Sequence, residues 1–124
     1  MQAISTNNAP QALGPYSQAV LAGANLYLSG QIAINPETGA LVQDSIEAET
    51  EQIMSNIEAI LLEARYNFNY VVKTTIFATD IAYFDAINKV YGKYFKMTPP
   101  ARSFVQVAAL PKGARVEIEV LAIK

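Results

Sequence analysis

The chain has no cysteine and no histidine, which limits the side chains that could carry out chemistry. Without a thiol or an imidazole there is no cysteine nucleophile, no Ser-His-Asp triad and no zinc site built from histidine or thiolate ligands. Proton transfer must then depend on Asp, Glu, Lys, Tyr or an ordered water molecule.

Residues 115–120 place three charged side chains on one face of a predicted strand. Arg115, Glu117 and Glu119 alternate with apolar residues, as expected for a strand with one face in solvent. The alternation makes both carboxylates candidates for proton transfer and does not choose between them.

Composition restricts the partners of the chain. Its 124 residues suit a single domain, residues 1–124, and its 52% hydrophobic content leans toward an oligomer. The net charge of −2, without a basic cluster, makes nucleic acid an unexpected partner. The polar first ten residues and the absence of a long apolar run predict a soluble, cytoplasmic protein with no membrane contact.

The first half of the chain predicts a strand, a helix and a second strand. Residues 25–34 alternate with period two, with Leu26, Leu28, Gly30, Ile32 and Ile34 expected on one face. Asp44 followed by Glu47 resembles a capping box, and a helical apolar repeat continues to about residue 65. Residues 71–79 are rich in β-branched side chains, and Asp80 after them is a plausible N-cap.

The second half predicts a helix and two strands. An apolar stripe from Phe84 to Phe95 indicates a helix that the Pro99-Pro100 pair would end. Residues 102–109 and 114–123 read as the closing strands. The resulting order favours an α+β sandwich with the helices on one face of the sheet.

Six segments distributed over nearly the whole chain resemble the signature segments of the Rid (YjgF) family. They are Gly14-Pro15-Tyr16-Ser17-Gln18, Ser29-Gly30-Gln31, Val72-Lys73-Thr74-Thr75, Asn88 with Tyr91, Pro100-Ala101-Arg102-Ser103, and Leu110-Pro111-Lys112 before Val116-Glu117-Ile118-Glu119. The resemblance implies a chorismate-mutase-like fold with a mixed sheet, a homotrimer with sites between subunits, and no metal or organic cofactor.

The same resemblance implies three catalytic residues. Arg102 would clamp a substrate carboxylate through two parallel hydrogen bonds, although the residue alone is more typical of a surface arginine after a proline pair. Glu117 would orient the attacking water or accept its proton, and its choice over Glu119 rests on the resemblance. The Tyr16 hydroxyl would hydrogen-bond the ligand or a water molecule. The alternative is that the Tyr16 ring only anchors the N-terminal segment.

Substrate binding is assigned to Arg102 and four further residues. Ser29 and Gly30 interrupt a bulky strand, where glycine permits close approach of a ligand or simply marks a bulge. Asn88 is either a ligand-facing amide or a satisfied polar residue at an interface. Phe104 stands where many family members have cysteine, which removes any thiol role and suggests an altered pocket.

A tight hairpin between the last two predicted strands would keep Arg102 and Glu117 apart. If Pro111-Lys112 were a two-residue hairpin loop, the two side chains would stand roughly 13 Å apart along the strands. Either the last two strands are not neighbours or, as the resemblance suggests, the site combines different subunits.

The implied activity is hydrolytic deamination of reactive 2-imino acids to 2-keto acids and ammonia, a form of metabolite damage control in amino-acid metabolism. The implied substrates are 2-iminopropanoate and 2-iminobutanoate, products of dehydratases that use pyridoxal phosphate. Two alternatives remain open: a non-catalytic trimeric module that binds a small molecule and regulates another protein, and a ribonuclease or translation inhibitor. The net charge and the missing histidine argue against the ribonuclease.

Overall fold

The computed structural model describes all residues from 1 to 124 and contains six strands and two α-helices. In chain order they are β1 (Gln2–Ile4), β2 (Ala19–Ala22), β3 (Asn25–Gln31), α1 (Ile46–Glu63), β4 (Val71–Ala78), α2 (Phe84–Tyr91), β5 (Ala101–Gln106) and β6 (Val116–Ile123). Short 3₁₀ turns lie at Phe68–Tyr70, Ile81–Tyr83, Gly92–Tyr94 and Pro111–Gly113.

The strands form one mixed sheet in the order β1-β2-β3-β6-β4-β5. Every neighbouring pair is antiparallel except β4 and β5, which run parallel because α2 carries the chain back between them. Both helices pack on each other, and the core lies between them and the inner face of the sheet, with Ile57, Ile76, Ile87 and Ile118 fully buried. The predicted mixed sheet with two helices is confirmed.

The last two strands are not neighbours, because β4 lies between them. Arg102 of β5 aligns with Thr74 of β4, and Glu117 of β6 aligns with Phe77 of β4. The simple hairpin considered for residues 102–123 therefore does not form.

Strand β3 corrects the predicted alternation over residues 25–34. The register of its pairing with β6 shifts between Leu28 and Gln31, which marks a bulge at Ser29 and Gly30. After the bulge Gln31 and Ala33 are buried, whereas Gly30 and Ile32 leave the face that was predicted for them. The strand ends at Gln31, and Ile34 only forms an isolated bridge with Leu41.

The helix ends also differ from the sequence prediction. Ser45, not Asp44, caps α1, because its hydroxyl accepts a hydrogen bond from the Ala48 N–H at 3.0 Å. Helix α2 ends at Tyr91 and continues only as a 3₁₀ turn to Tyr94, well before the prolines. Asp80 does act as an N-cap, for the turn that precedes α2.

The closing strands are shorter than predicted: β5 ends at Gln106, and β6 begins at Val116. Beyond β5, the Val107 N–H still bonds the Ala78 carbonyl, but that carbonyl belongs to the last residue of β4 and pairing stops there. Neither α-helix has the length and apolar character that a membrane crossing requires.

Candidate active site

Arg102 lies on the helix-facing side of β5 in a cage of three aromatic rings. Its guanidinium carbon lies 5.1 Å from the ring centre of Tyr91, 5.5 Å from that of Phe84 and 5.6 Å from that of Phe104. These distances fall within the range at which a cation is attracted to a ring face. The rings therefore hold the guanidinium in place without neutralising its charge.

Asn88 supplies the only polar contact that fixes this guanidinium. Arg102 Nη1 donates to Asn88 Oδ1 at 2.7 Å, and no Asp or Glu forms an ion pair with Arg102. The remaining N–H groups of Arg102 and the Nδ2 amide of Asn88 stay free to donate to a ligand. Such a set of fixed, unpaired donors suits a carboxylate or another planar anion.

The rest of the cage is apolar and neutral. Phe84 and Phe104 meet edge to face at 5.0 Å, and Phe104 is partly buried against the core. The Tyr91 hydroxyl shares a 2.7 Å hydrogen bond with Thr74 Oγ1, and burial raises the pKa of Tyr91 despite that bond and the nearby Arg102 charge. Tyr91 therefore stays protonated and is a wall of the cage rather than a base.

Glu117 lies on the opposite face of the sheet, against the bulge of β3. An added Cβ on Gly30 would collide with the Glu117 carboxylate, so glycine is required for the close approach of the two. Burial, and secondarily the charge of Glu119, raise the pKa of the half-buried Glu117 carboxyl. A carboxylate with a raised pKa is a stronger base than a fully solvated one.

Tyr16 and Ser29 line the same cavity as Gly30 and Glu117, a cleft of about 440 Å³. The Tyr16 hydroxyl accepts a hydrogen bond from the Leu13 N–H at 3.2 Å, which leaves its own proton available for a ligand or water. The Ser29 hydroxyl donates to the Ser17 carbonyl at 2.6 Å, so toward a ligand it can only accept.

The structure thus gathers the predicted residues into two groups. Arg102, Asn88 and Phe104 form one, and Glu117, Tyr16, Ser29 and Gly30 form the other. In the sheet, Arg102 and Glu117 are three residues apart along the strands and two strand spacings apart across them, about 14 Å in all. They also point to opposite faces, so one chain does not bring them together.

Phe84 and Tyr91 also belong to the site, although the sequence assigned neither a role there: both lay in the apolar stripe, and Tyr91 stood beside Asn88 in a family segment. They share a helix face with Asn88 at spacings of four and three residues. An amide inside an otherwise aromatic stripe is the signal that could have marked this face as a binding face. No group of acidic side chains is arranged to hold a metal ion.

Fold and site together define a small α+β protein with an anion-binding arginine and a separate, partly desolvated carboxylate. The profile of the family described as endoribonuclease L-PSP matches residues 6–124. The human protein named 2-iminobutanoate/2-iminopropanoate deaminase is 50% identical over 121 residues, which cover 98% of this chain and 88% of that protein.

Two solved structures show the same fold. A Rid family protein from Yersinia pestis has a TM-score of 0.97 at 53% identity, covering 99% of this chain and 98% of that one. TdcF from E. coli with bound serine has a TM-score of 0.96 at 38% identity, covering 100% of this chain and 99% of that one. The chain belongs to the endoribonuclease L-PSP family, which includes the Rid proteins, and the expected chorismate-mutase-like fold is confirmed.

Proposed function

We propose that the chain hydrolyses 2-imino acids to 2-keto acids and ammonia. It is an imine deaminase, and the observation that carries the proposal is the Arg102 guanidinium, fixed by Asn88 and three rings yet without an acidic partner. A fixed cation with free donors matches the one group that every 2-imino acid shares, its carboxylate. The human deaminase at 50% identity supports the same substrate class.

The site is proposed to form between copies of the chain in a homotrimer. The Arg102 and Glu117 groups are each incomplete, and a cleft between subunits would let Arg102 of one copy face Glu117 of the next. The outer sheet face supports association because it carries exposed aromatic and apolar side chains: Tyr27 is 49% exposed and Val105 is 40% exposed.

The reaction needs only orientation and proton transfer. With the carboxylate on Arg102, a water beside Glu117 attacks C2; its oxygen bonds to carbon while the C=N electron pair moves to nitrogen. Glu117 takes a proton from the water and passes it to the nitrogen, which gives a neutral carbinolamine. Glu117 then moves the hydroxyl proton to the amino group, so that the C–N bond breaks, ammonia leaves and the C=O bond of the keto acid forms. Tyr16 can donate a hydrogen bond to the water or the developing hydroxyl.

Small substrates fit this arrangement best. We expect 2-iminopropanoate and 2-iminobutanoate, formed in the cytoplasm by dehydratases that use pyridoxal phosphate. The serine bound by TdcF, at 38% identity, supports a site for small molecules with an α-carboxylate. Water and the chain's own residues suffice for the chemistry, so no cofactor is invoked.

The direct test is ammonia release from freshly generated 2-iminobutanoate, compared with the uncatalysed rate. We expect acceleration by the wild-type protein and none by Arg102→Ala. Binding of 2-ketobutyrate without acceleration would favour the regulatory binding module instead. RNA cleavage without imine hydrolysis would favour the activity that the family description names, which the net charge of −2 and the missing histidine oppose.

A further inference from the structure

Tyr16 sits in a long irregular segment whose position is not set by regular structure. Residues 5–18, here called the Tyr16 loop, lie between β1 and β2 and contain no helix or strand. The Tyr16 side chain is 50% exposed, so packing alone does not hold it. Its backbone N–H bonds only the Gly14 carbonyl and its hydroxyl only the Leu13 N–H, both within the loop. The direction of Tyr16 therefore depends on whatever anchors the loop.

Gln18 is the anchor of the first part of this loop. Its side chain is buried, with 4% exposure, and its Oε1 accepts from the Thr6 N–H at 2.7 Å. Its Nε2 donates to the carbonyls of Thr6 at 3.0 Å and Pro10 at 2.8 Å, and makes a longer hydrogen bond to the Ala9 carbonyl at 3.4 Å. One buried amide thus satisfies backbone groups along five residues of the loop.

Ser29 anchors the last part of the loop, close to the Glu117 carboxylate. Its hydroxyl donates to the Ser17 carbonyl at 2.6 Å, and its N–H donates to the Gln18 carbonyl at 3.0 Å. Ser29 directly precedes Gly30, against which the Glu117 carboxylate lies. The two anchors therefore tie the loop to the same bulge of β3 that receives Glu117.

We infer that Gln18 is a positioning residue: its buried amide, with the Ser29 hydroxyl, sets the Tyr16 hydroxyl relative to Glu117. The inference rests on the proposed function, in which Tyr16 and Glu117 act on the same water. Gln18 also lines this cleft, but its amide is engaged by the loop backbone, so in this role it acts through Tyr16 rather than on the substrate. Its substitution lowers the rate only by displacing Tyr16.

A double-mutant cycle separates positioning from general stability. Gln18→Leu should lower kcat about tenfold, with a change in KM of no more than about twofold. In a Tyr16→Phe background the same substitution should change kcat by less than about twofold, because the group it positions is gone. Equal losses in both backgrounds would overturn the inference. Asn8→Leu, in the same loop but exposed and without side-chain hydrogen bonds, is the matched control and should leave kcat unchanged.

A second readout does not depend on the proposed reaction. Amide hydrogen exchange in the Tyr16 loop should rise about tenfold in Gln18→Leu, while exchange in the core strand β6 stays at the wild-type rate. Unchanged loop exchange would refute the anchoring role even if the protein proved not to be a deaminase. If Gln18→Leu does not fold, Ser29→Ala removes one side-chain bond to the loop and takes its place in both experiments, with the same expected coupling to Tyr16.

Discussion

Arg102 and Glu117 point to opposite faces of one sheet, with strand β4 between the strands that carry them. Each lies among supporting groups: three rings and Asn88 around Arg102, and Gly30 with Tyr16 around Glu117. Neither group is complete for imine hydrolysis, since the Arg102 group lacks a base and the Glu117 group lacks a cation. The separation makes association of chains a requirement of the proposed chemistry.

Removing the Arg102 guanidinium should abolish activity while the fold persists. Arg102→Ala is expected to lower kcat/KM by about several thousand-fold, the upper end of the loss for truncating one member of a desolvated charge pair, because the substrate carboxylate is left without its cation. Arg102→Lys should also be poor, because a point charge does not reproduce the planar fork. The measurements are ammonia release and circular dichroism, with Lys93→Ala as an exposed-cation control. Wild-type turnover in either Arg102 variant would show that Arg102 does not clamp the substrate carboxylate.

The value of kcat/KM should fall as the pH is lowered through the pKa of Glu117. The base must be ionised, and burial raises the pKa of this carboxyl above its ordinary value. We therefore expect kcat/KM to decline as the pH falls, with a midpoint above the usual glutamate range of about 4.3. In Glu119→Gln the midpoint should move down slightly, since the Glu119 charge is the smaller cause of the shift. A pH-independent rate down to pH 4 would contradict the role of Glu117.

The raised pKa of Glu117 also predicts that ionisation of this carboxyl lowers the stability of the folded protein, although activity requires the ionised form. A carboxyl whose pKa is higher in the folded state favours folding when protonated, and that contribution is lost as the pH rises through the folded pKa. Glu117→Gln should therefore match or exceed the wild-type free energy of unfolding at pH 7, by no more than about 1 kcal/mol because the group is only half-buried. The difference should disappear at acid pH. Urea denaturation at pH 7 and pH 4 measures it; a clearly less stable variant at pH 7 would show that Glu117 holds the fold together.

Phe104 should limit the size of the substrate side chain. Its ring stands beside the guanidinium and meets Phe84 at 5.0 Å, so it adds an apolar wall to the cage. Phe104→Cys should relax discrimination against the bulky leucine-derived imine, by tens-fold at most, since a methylene in an apolar pocket contributes about 1–3 kcal/mol. The measurement is kcat/KM across 2-iminopropanoate, 2-iminobutanoate and that imine. Lost stability with an unchanged substrate ranking would make Phe104 a packing residue only.

Local sequence pattern was enough to predict the helices, most strands and the face that Asn88 shares with Phe84 and Tyr91. It left a bulge at Ser29 and Gly30 as one of two interpretations, because an uninterrupted alternation and a bulged one look alike until the partner strand is known. Asp44 and Ser45 are both good cap residues, and only the bond to the Ala48 N–H distinguishes them.

The place of β4 between β5 and β6 is a long-range pairing that local periodicity does not encode. The consequence for the site is large, because this pairing sends Arg102 and Glu117 to opposite faces. The assignment of Glu117 rather than Glu119 likewise came from family resemblance. The structure distinguishes the two glutamates by burial and by the contact with Gly30.

The most direct test of a site shared between subunits is complementation between two inactive variants. Arg102→Ala and Glu117→Gln should each give a homotrimer of about three times 13.5 kDa by light scattering, without activity. When equal amounts are unfolded together and refolded, random assembly should restore about one quarter of the wild-type sites, because each intact site needs its arginine and its glutamate from different chains. Recovery near that fraction is the predicted result. Correctly assembled mixed trimers without any activity would contradict the shared site.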